Sequence, residues 1–233
     1  MTDTRSNFHQ QLERLEAEVL SMGAYAEQML ADAVAALVTS DAAAASAVIA
    51  MDDDLDNRYL EVERAWLETM ALQMPVASDL RLMSVVLHTN HSLERIGDQA
   101  VSTAAAVEIT EGFPTHQQML TIIGEVGNRV RAMVRASLLA MQQRDLEGAL
   151  ALPSMGKVVT KLNKQLIGMV AECKDNERQL EWAVRMVVVA RNLERVGARA
   201  IDIAEQVAFL LSGVFREFSA DDWDPQSLLL EDR

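Results

Sequence analysis

Hydrophobic residues recur at helical spacing along most of the chain, and turn-forming residues divide them into six long segments. In the clearest segment, apolar positions return every three or four residues from Leu82 to Val107. This period is typical of a helix that buries one face. We predict six helices, over residues 5–39, 41–73, 76–111, 115–143, 145–173 and 176–217.

The junctions between these segments carry helix-start signals. Asp41 and Asp145 suit N-cap positions, because a short acidic side chain can accept a hydrogen bond from an N–H of the first turn. Asp175-Asn176 offers the same signal for the last helix. The strongest break, Gly112-Phe113-Pro114-Thr115, falls near the middle of the chain.

The second half of the chain repeats the first. The phrase LERIGDQA at 93–100 returns as LERVGARA at 193–200, and a shift of 104 residues aligns the first two helices of each half. A repeat of three helices indicates an internal duplication and not a short-repeat solenoid. We predict an all-α fold of two tandem antiparallel three-helix bundles, residues 1–112 and 113–217. An acidic tail, 218–233, is expected to be disordered, although Trp223 and Leu228–Leu230 could dock on a bundle or on a partner.

Composition narrows the classes of function. Four prolines and ten glycines among 233 residues, half of them hydrophobic, favour long helices. A net charge of −14 argues against binding to nucleic acid or to anionic membranes. Cys173 is the only cysteine, which excludes an internal disulfide, and we expect it to be buried. The polar N-terminus and the lack of a long apolar run predict a cytoplasmic protein without membrane insertion.

Acidic pairs on two helices form the candidate chemistry. Glu94 and Asp98 lie four residues apart, so their side chains project from adjacent turns on a face turned away from the core; Asp52 and Asp56 are spaced alike. If the second and third helices are antiparallel, four carboxylates converge and can hold iron, zinc, manganese or magnesium. The predicted metal ligands are Asp52, Asp56, Glu94 and Asp98, with His91, Asp53 and Glu194 as secondary candidates.

The corresponding positions of the second half have lost this chemistry. Glu194 remains, but the other three acids are replaced by Gly156, Thr160 and Ala198, and the segment gains Lys157, Lys161 and Lys164. We expect Asp202 and Glu205 to pair with these lysines. Gly97 and Gly197 lie inside helices, where they indicate close helix packing or access of a ligand. The sequence thus predicts two similar scaffolds with a metal site in the first alone.

Two sequence stretches carry a resemblance to a known family. MPVASDLRLM at 74–83, followed by LERIGDQA, and LERVGARAIDIAE at 193–205 resemble the PhoU family over about residues 8–217. The resemblance implies a cytoplasmic homodimer with metal clusters on paired acidic motifs. It also implies a negative regulator of phosphate uptake and of phosphate-starvation signalling. Such a regulator contacts the ATPase subunit of the phosphate ABC transporter and the phosphate-sensing histidine kinase.

Two other functions remain open at this point. A divergent, metal-free helical adaptor would need the same scaffold without the ion. A carboxylate-bridged metalloenzyme is less consistent with the sequence, because di-iron bundles use Glu-x-x-His and this chain has His91-x-x-Glu94 in the reverse order. The chain also contains no Gly-rich phosphate loop and no evident nucleophile arrangement. We therefore predict a protein that is not an enzyme.

Overall fold

The computed structural model describes residues 2–73, 75 and 78–218, and every regular element in this part is helical. The helices are α1 (Thr2–Thr39), α2 (Ala42–Ala50), α3 (Asp52–Gln73), α4 (Ser78–Ile109), α5 (Gln117–Gln143), α6 (Leu146–Met169) and α7 (Glu177–Ser212). A 3-10 turn, Val170–Cys173, follows α6. None of these helices is long and apolar enough to span a bilayer. The all-α prediction is confirmed.

Two predicted helix boundaries were wrong. The second predicted helix is interrupted at Met51, whose carbonyl accepts a hydrogen bond from the Tyr25 hydroxyl at 3.4 Å. Three aspartates then open α3, where the helix dipole favours negative charge. The last helix ends at Ser212 and not at 217, because Gly213 adopts a left-handed conformation (φ +76°) that closes the C-terminus. The predictions for Trp223 and Leu228–Leu230 lie outside the described residues.

The predicted N-caps are present at equivalent places in the two halves. The Asp41 carboxylate accepts the N–H of Ala44 at 3.0 Å, and the Asp145 carboxylate accepts the N–H of Gly148 at 3.0 Å. Asn176 caps α7 in the same way. Because Asp41 and Asp145 are 104 residues apart, the caps support the alignment derived from the sequence.

The helices form two bundles that share one core. Helices α1 to α4 form the first bundle and α5 to α7 the second; α1 packs on α5, and α4 packs on α7. Buried side chains from both halves, including Cys173, make a continuous hydrophobic cluster. Helices α3 and α6 each pack within their own half. The division into residues 1–112 and 113–217 stays a prediction, because the shared core sets no boundary.

Helices α1 and α5 meet around a pseudo-twofold axis. Gly23 on α1 faces Leu138 on α5, and its equivalent Gly127 on α5 faces Val34 on α1. A Cβ atom added to either glycine would lie 2.6 Å from the facing side chain, so both positions need the close approach that glycine allows. The two contacts are related by the 104-residue shift, which shows that the bundles associate symmetrically.

A buried acid ties the two halves together near this axis. Glu27 accepts a hydrogen bond from Arg131 Nε at 2.9 Å and further hydrogen bonds from Arg135. Burial alone would raise the pKa of Glu27, but the hydrogen bonds and positive charges of the two arginines outweigh it and lower that pKa. Glu27 is therefore a paired carboxylate at the interface of the bundles.

Candidate metal-binding groove

Helices α3 and α4 are antiparallel, as the convergence of their acids requires. The Trp66 indole donates to the carbonyl of Met83 at 2.7 Å, and the Asn90 amide donates to the carbonyl of Tyr59 at 3.1 Å. Residues with lower numbers on α3 therefore contact residues with higher numbers on α4, as expected for antiparallel helices. Continuing this register brings Asp56 and Asp52 level with Glu94 and Asp98.

The four predicted ligands lie within electrostatic reach of one another. The pKa of Asp52 is raised by burial first and then by repulsion from Asp56, Asp98 and Asp53. The pKa of Glu94 is raised by burial, by Asp98 and by Asp56, while Arg95 and His91 lower it. The structure therefore brings together acids of both helices in one groove, which we call the acidic groove: Asp52, Asp56, Glu94 and Asp98.

The two secondary candidates of the first half lie at the edge of the acidic groove. Asp53 is exposed and is the weakest of the charges that act on Asp52. His91 is also exposed, and it is close enough for its ring to favour ionised Glu94. The structure gives neither residue a closer contact with the four carboxylates.

Glu94 is less exposed than its outward position on the helical wheel predicted. Its side chain is 18% exposed, because α3 covers one side of it. Oxygen Oε2 is buried and accepts no hydrogen bond. Arg95 Nε lies 3.2 Å from this oxygen, but its N–H is not directed at it, so the contact is an ion pair without a hydrogen bond. A buried carboxylate oxygen in this state lacks the hydrogen-bond donor that would offset its loss of solvation.

The sequence did not predict that Arg95 would contact the carboxylates of the acidic groove. Besides its contact with Glu94, it donates from Nη1 to Asp98 Oδ2 at 3.0 Å. Its guanidinium thus contacts both carboxylates of the Glu-xxx-Asp pair. In the described part of the chain, no three His, Cys, Asp or Glu side chains are already arranged around one point as metal ligands. An ion in the acidic groove would require Arg95 to swing out and the carboxylates to turn inward.

The equivalent carboxylate of the second half is satisfied by neutral donors. Thr160, which replaces Asp56, donates to Glu194 Oε1 at 2.8 Å, and Asn163 donates to Glu194 Oε2 at 3.2 Å. Arg191 adds a longer contact at 3.3 Å. Glu194 therefore has partners on both oxygens. The threonine and asparagine occupy α6 where the first half has Asp56 and Tyr59 on α3.

The expected lysine pairs of the second half were wrong. Asp202 pairs with Arg199 at 2.9 Å, one turn earlier on the same helix. Glu205 accepts the backbone N–H of Phe218 at 2.7 Å, because the chain turns back after Gly213. Burial first, together with repulsion from Asp202 and Glu217, raises the pKa of Glu205 to about 7, although this hydrogen bond acts in the opposite direction. Helical periodicity could not reveal a partner that comes from beyond the helix.

The two helix-internal glycines differ in what surrounds them. A Cβ on Gly97 would lie 2.0 Å from Leu55 Cδ2, so close packing of α3 on α4 explains this glycine. A Cβ on Gly197 would lie 3.4 Å from Val130 Cγ1 and 3.5 Å from Met133 Sδ, which are ordinary contacts. At this position of the repeated motif, a side chain of a neighbouring helix therefore approaches closely in the first half and at ordinary distance in the second.

The fold and the acidic groove together define a class: a duplicated helical-bundle protein with a cluster of carboxylates in one repeat. A model of the PhoU domain matches the chain twice, at residues 19–107 and 123–207. The chain belongs to the PhoU family, as its sequence motifs predicted.

Individual relatives agree with this assignment. A "Phosphate-specific transport system accessory protein PhoU homolog" from Clostridium acetobutylicum is 33% identical over 90% of this chain and 96% of its own. A homolog of the same name from Caulobacter vibrioides is 33% identical over 90% of this chain and 92% of its own. The crystal structure of PhoU from Pseudomonas aeruginosa superposes with a TM-score of 0.84 at 30% identity, over 89% of this chain and all of that one.

Proposed function

We propose that this protein is an accessory regulator of a phosphate-specific transport system that lowers phosphate uptake and silences phosphate-starvation signalling. The proposal is supported by membership of the PhoU family and by relatives named as accessory proteins of that system. Its partners would be the ATPase subunit of the phosphate ABC transporter and the phosphate-sensing histidine kinase. The protein would act in the cytoplasm as a homodimer, through contact and without catalysis.

Binding to purified partners tests this regulatory role. The full-length protein, immobilised, is expected to retain the transporter ATPase and the cytoplasmic part of the kinase from the same organism. Deletion of the gene is expected to raise phosphate uptake and to switch on starvation genes in phosphate-rich medium. Retention of neither partner, or unchanged uptake in the deletion strain, would contradict the role.

We further propose that the acidic groove binds one or more iron, zinc, manganese or magnesium ions through Asp52, Asp56, Glu94 and Asp98. The observation that carries this proposal is the convergence of four carboxylates around a buried Glu94 oxygen that accepts no hydrogen bond; burial and the neighbouring acids raise the pKa of Asp52 and of Glu94 there. Carboxylate oxygens suit such cations. A bound ion would neutralise the repulsion and clamp α3 to α4.

Elemental analysis of untagged protein tests the metal site. Asp56→Asn and Glu94→Gln are expected to lose most of the bound metal, because each removes a charged ligand while keeping its shape. Glu194→Gln is the matched control, since it changes the equivalent residue of the second half, which we expect to bind no ion. Equal metal content in all three variants would contradict the assignment.

A metal-free adaptor is the second candidate, and Arg95 favours it. The guanidinium already contacts Glu94 and Asp98 and can serve as their permanent cation. The variant Arg95→Ala separates the two functions. If the acidic groove binds metal, Arg95→Ala is expected to keep or raise the metal content and to gain thermal stability when the ion is added. If Arg95 is the only cation, the variant will be less stable and will not respond to added metal.

A further inference from the structure

The second half carries a pocket where the first half carries its acids. The pocket, about 520 Å3 in volume, lies between α6 and α7. It includes Gly156, Thr160 and Ala198, the residues that replace the three missing acids of the acidic groove. Pro153, Val159, Ile201 and Phe218 make the rest of its wall mostly apolar; Glu194 also lines it, with both carboxylate oxygens hydrogen-bonded to Thr160 and Asn163. Loss of the acids has therefore left an open space and not a filled surface.

A stripe of positive charge borders this pocket. Lys157, Lys161 and Lys164 lie three or four residues apart on α6, so they share one exposed face of that helix. They are three of the four lysines in a chain whose net charge is −14. Among the described residues, none of the three forms an ion pair. Lys157 and Lys164 themselves line the pocket. The stripe and the pocket together suit an occupant that is both apolar and acidic.

The path of the chain after α7 leads to this pocket. The left-handed Gly213 reverses the direction of the backbone, and Phe215 packs edge-on against Phe209 at a ring distance of 5.8 Å. By Phe218 the chain has returned to the level of Glu205, to which it donates a hydrogen bond. Phe218 is buried and forms part of the pocket wall. The described chain thus ends at the pocket, travelling back along α7 toward its first turns.

The sequence beyond this point has the composition that the pocket and the lysines require. Residues 219–233 read SADDWDPQSLLLEDR, with five acids, one arginine, Trp223 and three leucines. Trp223 is five residues beyond Phe218, which gives a reach of up to about 17 Å. An aromatic ring buries a large apolar area, and flanking aspartates can meet the lysines at a partly shielded surface.

We propose that residues 219–233 dock on their own second bundle, with Trp223 in the pocket and Asp221, Asp222 and Asp224 on the lysine stripe. The tail then covers the groove in which three of the four acids are replaced, while the acidic groove of the first half stays uncovered. This inference is independent of the proposed metal site and of the proposed phosphate role.

Quenching of tryptophan fluorescence by acrylamide in the full-length protein tests the docking. The background variant Trp66→Phe leaves two indoles, and Trp182 is buried, so the quenchable emission reports on Trp223. We expect weak quenching in this background. Combining Lys161→Glu and Lys164→Glu is expected to raise the quenching constant several-fold, and added salt to raise it partially. Lys174→Glu changes the fourth lysine, beyond the end of α6, and is expected to have no effect.

Other outcomes of the same measurement would assign the pocket to a different occupant and so overturn the proposal. Strong quenching in the Trp66→Phe background would overturn the proposal and leave the pocket to a separate protein. Quenching that grows on serial dilution would also overturn it, because the tail would then occupy the pocket of a second copy. Ala198→Leu narrows the pocket without touching the lysines, and it is expected to increase quenching. Unchanged circular dichroism in each variant confirms that the bundles remain folded.

Discussion

Each half of the molecule has a glutamate at the equivalent position of its last helix, Glu94 on α4 and Glu194 on α7. The two glutamates are stabilised in different ways. In the first half, Glu94 faces other acids and is contacted by the Arg95 guanidinium. In the second half, Glu194 accepts hydrogen bonds from Thr160 and Asn163. A partly buried carboxylate needs donors or cations in either setting. The comparison shows that a duplicated scaffold can exchange charge for hydrogen bonding at an equivalent position.

The exchange also changes what each groove can bind. Burial, and then repulsion between acids on two helices, raises the pKa of Asp52 and of Glu94, so a cation in the first groove would be stabilising. Replacing those acids by Gly156, Thr160 and Ala198 removes this repulsion and opens a pocket bordered by lysines. The first groove is the site proposed above for a metal ion, and the second is the site proposed for the acidic, apolar tail. The predictions below test this difference.

The largest expected effect concerns the glycines of the repeated motif. Gly97→Ala is expected to lower the free energy of unfolding by about 1–2 kcal/mol, because Leu55 must move and overpacking outweighs the gain in helix propensity. Gly197→Ala is expected to raise it by about 0.5–1 kcal/mol, since its contacts are ordinary. Urea unfolding of both variants measures the difference. Equal changes of the same sign would show that the two helix pairs pack alike.

The second prediction concerns Glu205, an acid that only the second half has. Ala105 occupies the equivalent position in the first half. The folded-state pKa of Glu205 is raised to about 7, chiefly by burial. Its protonated form is therefore favoured by folding, and stability falls as the pH rises from the unfolded pKa through that value.

Replacing this acid should remove the pH dependence. Glu205→Gln keeps an acceptor for the N–H of Phe218 and is expected to raise the free energy of unfolding by about 1 kcal/mol near pH 8, a value reduced for partial exposure. The gain should vanish near pH 4. Thermal unfolding across this range checks it. A gain that did not change with pH would mean that folding does not raise the pKa of Glu205.

The sequence predicted what periodicity and local capping control. The all-α class, the buried stripes, the duplication and the position of both acidic pairs follow from spacing along the chain, whereas the break at Met51, which gives seven α-helices instead of six among the described residues, does not. Arg95 and Asn163 were missed because their contacts depend on side-chain directions that spacing does not give. The turn at Gly213 was missed because a glycine near a helix end is compatible with continuation or with a cap. The pairing of Glu205 was missed for the same reason.

The third prediction concerns what the halves share. Asp41→Ala and Asp145→Ala each remove an N-cap hydrogen bond of 3.0 Å at equivalent positions. Each is expected to cost about 1 kcal/mol in the free energy of unfolding. Because the scaffold is duplicated, the two losses should agree closely, as measured by urea unfolding at neutral pH. A large loss for one variant alone would show that the first turns of α2 and α6 are not equivalent.

The smallest effect is the sharpest test of the comparison, because it exchanges one residue between the grooves. Asp56→Thr gives Glu94 the hydroxyl donor that Glu194 has, and it removes one repelling charge. We expect it to raise the free energy of unfolding of the metal-free protein by about 0.5–1 kcal/mol at neutral pH. Thr160→Asp makes the reverse change and is expected to lower that free energy by a similar amount.

The pH dependence of Asp56→Thr tests whether repulsion between carboxylates causes its effect on stability. The effect of Asp56→Thr should shrink at acid pH, because Glu94, whose pKa is raised by burial and by neighbouring acids, becomes protonated and is no longer repelled. Added divalent metal should reverse the order in the first half, stabilising the wild-type protein more than Asp56→Thr. Thr160→Asp should gain little from metal, because Ala198 still leaves Glu194 without its second acidic neighbour. If Asp56→Thr proved destabilising at every pH, Asp56 would be making a favourable contact instead of repelling Glu94, and the contrast between the two grooves would lose its electrostatic basis.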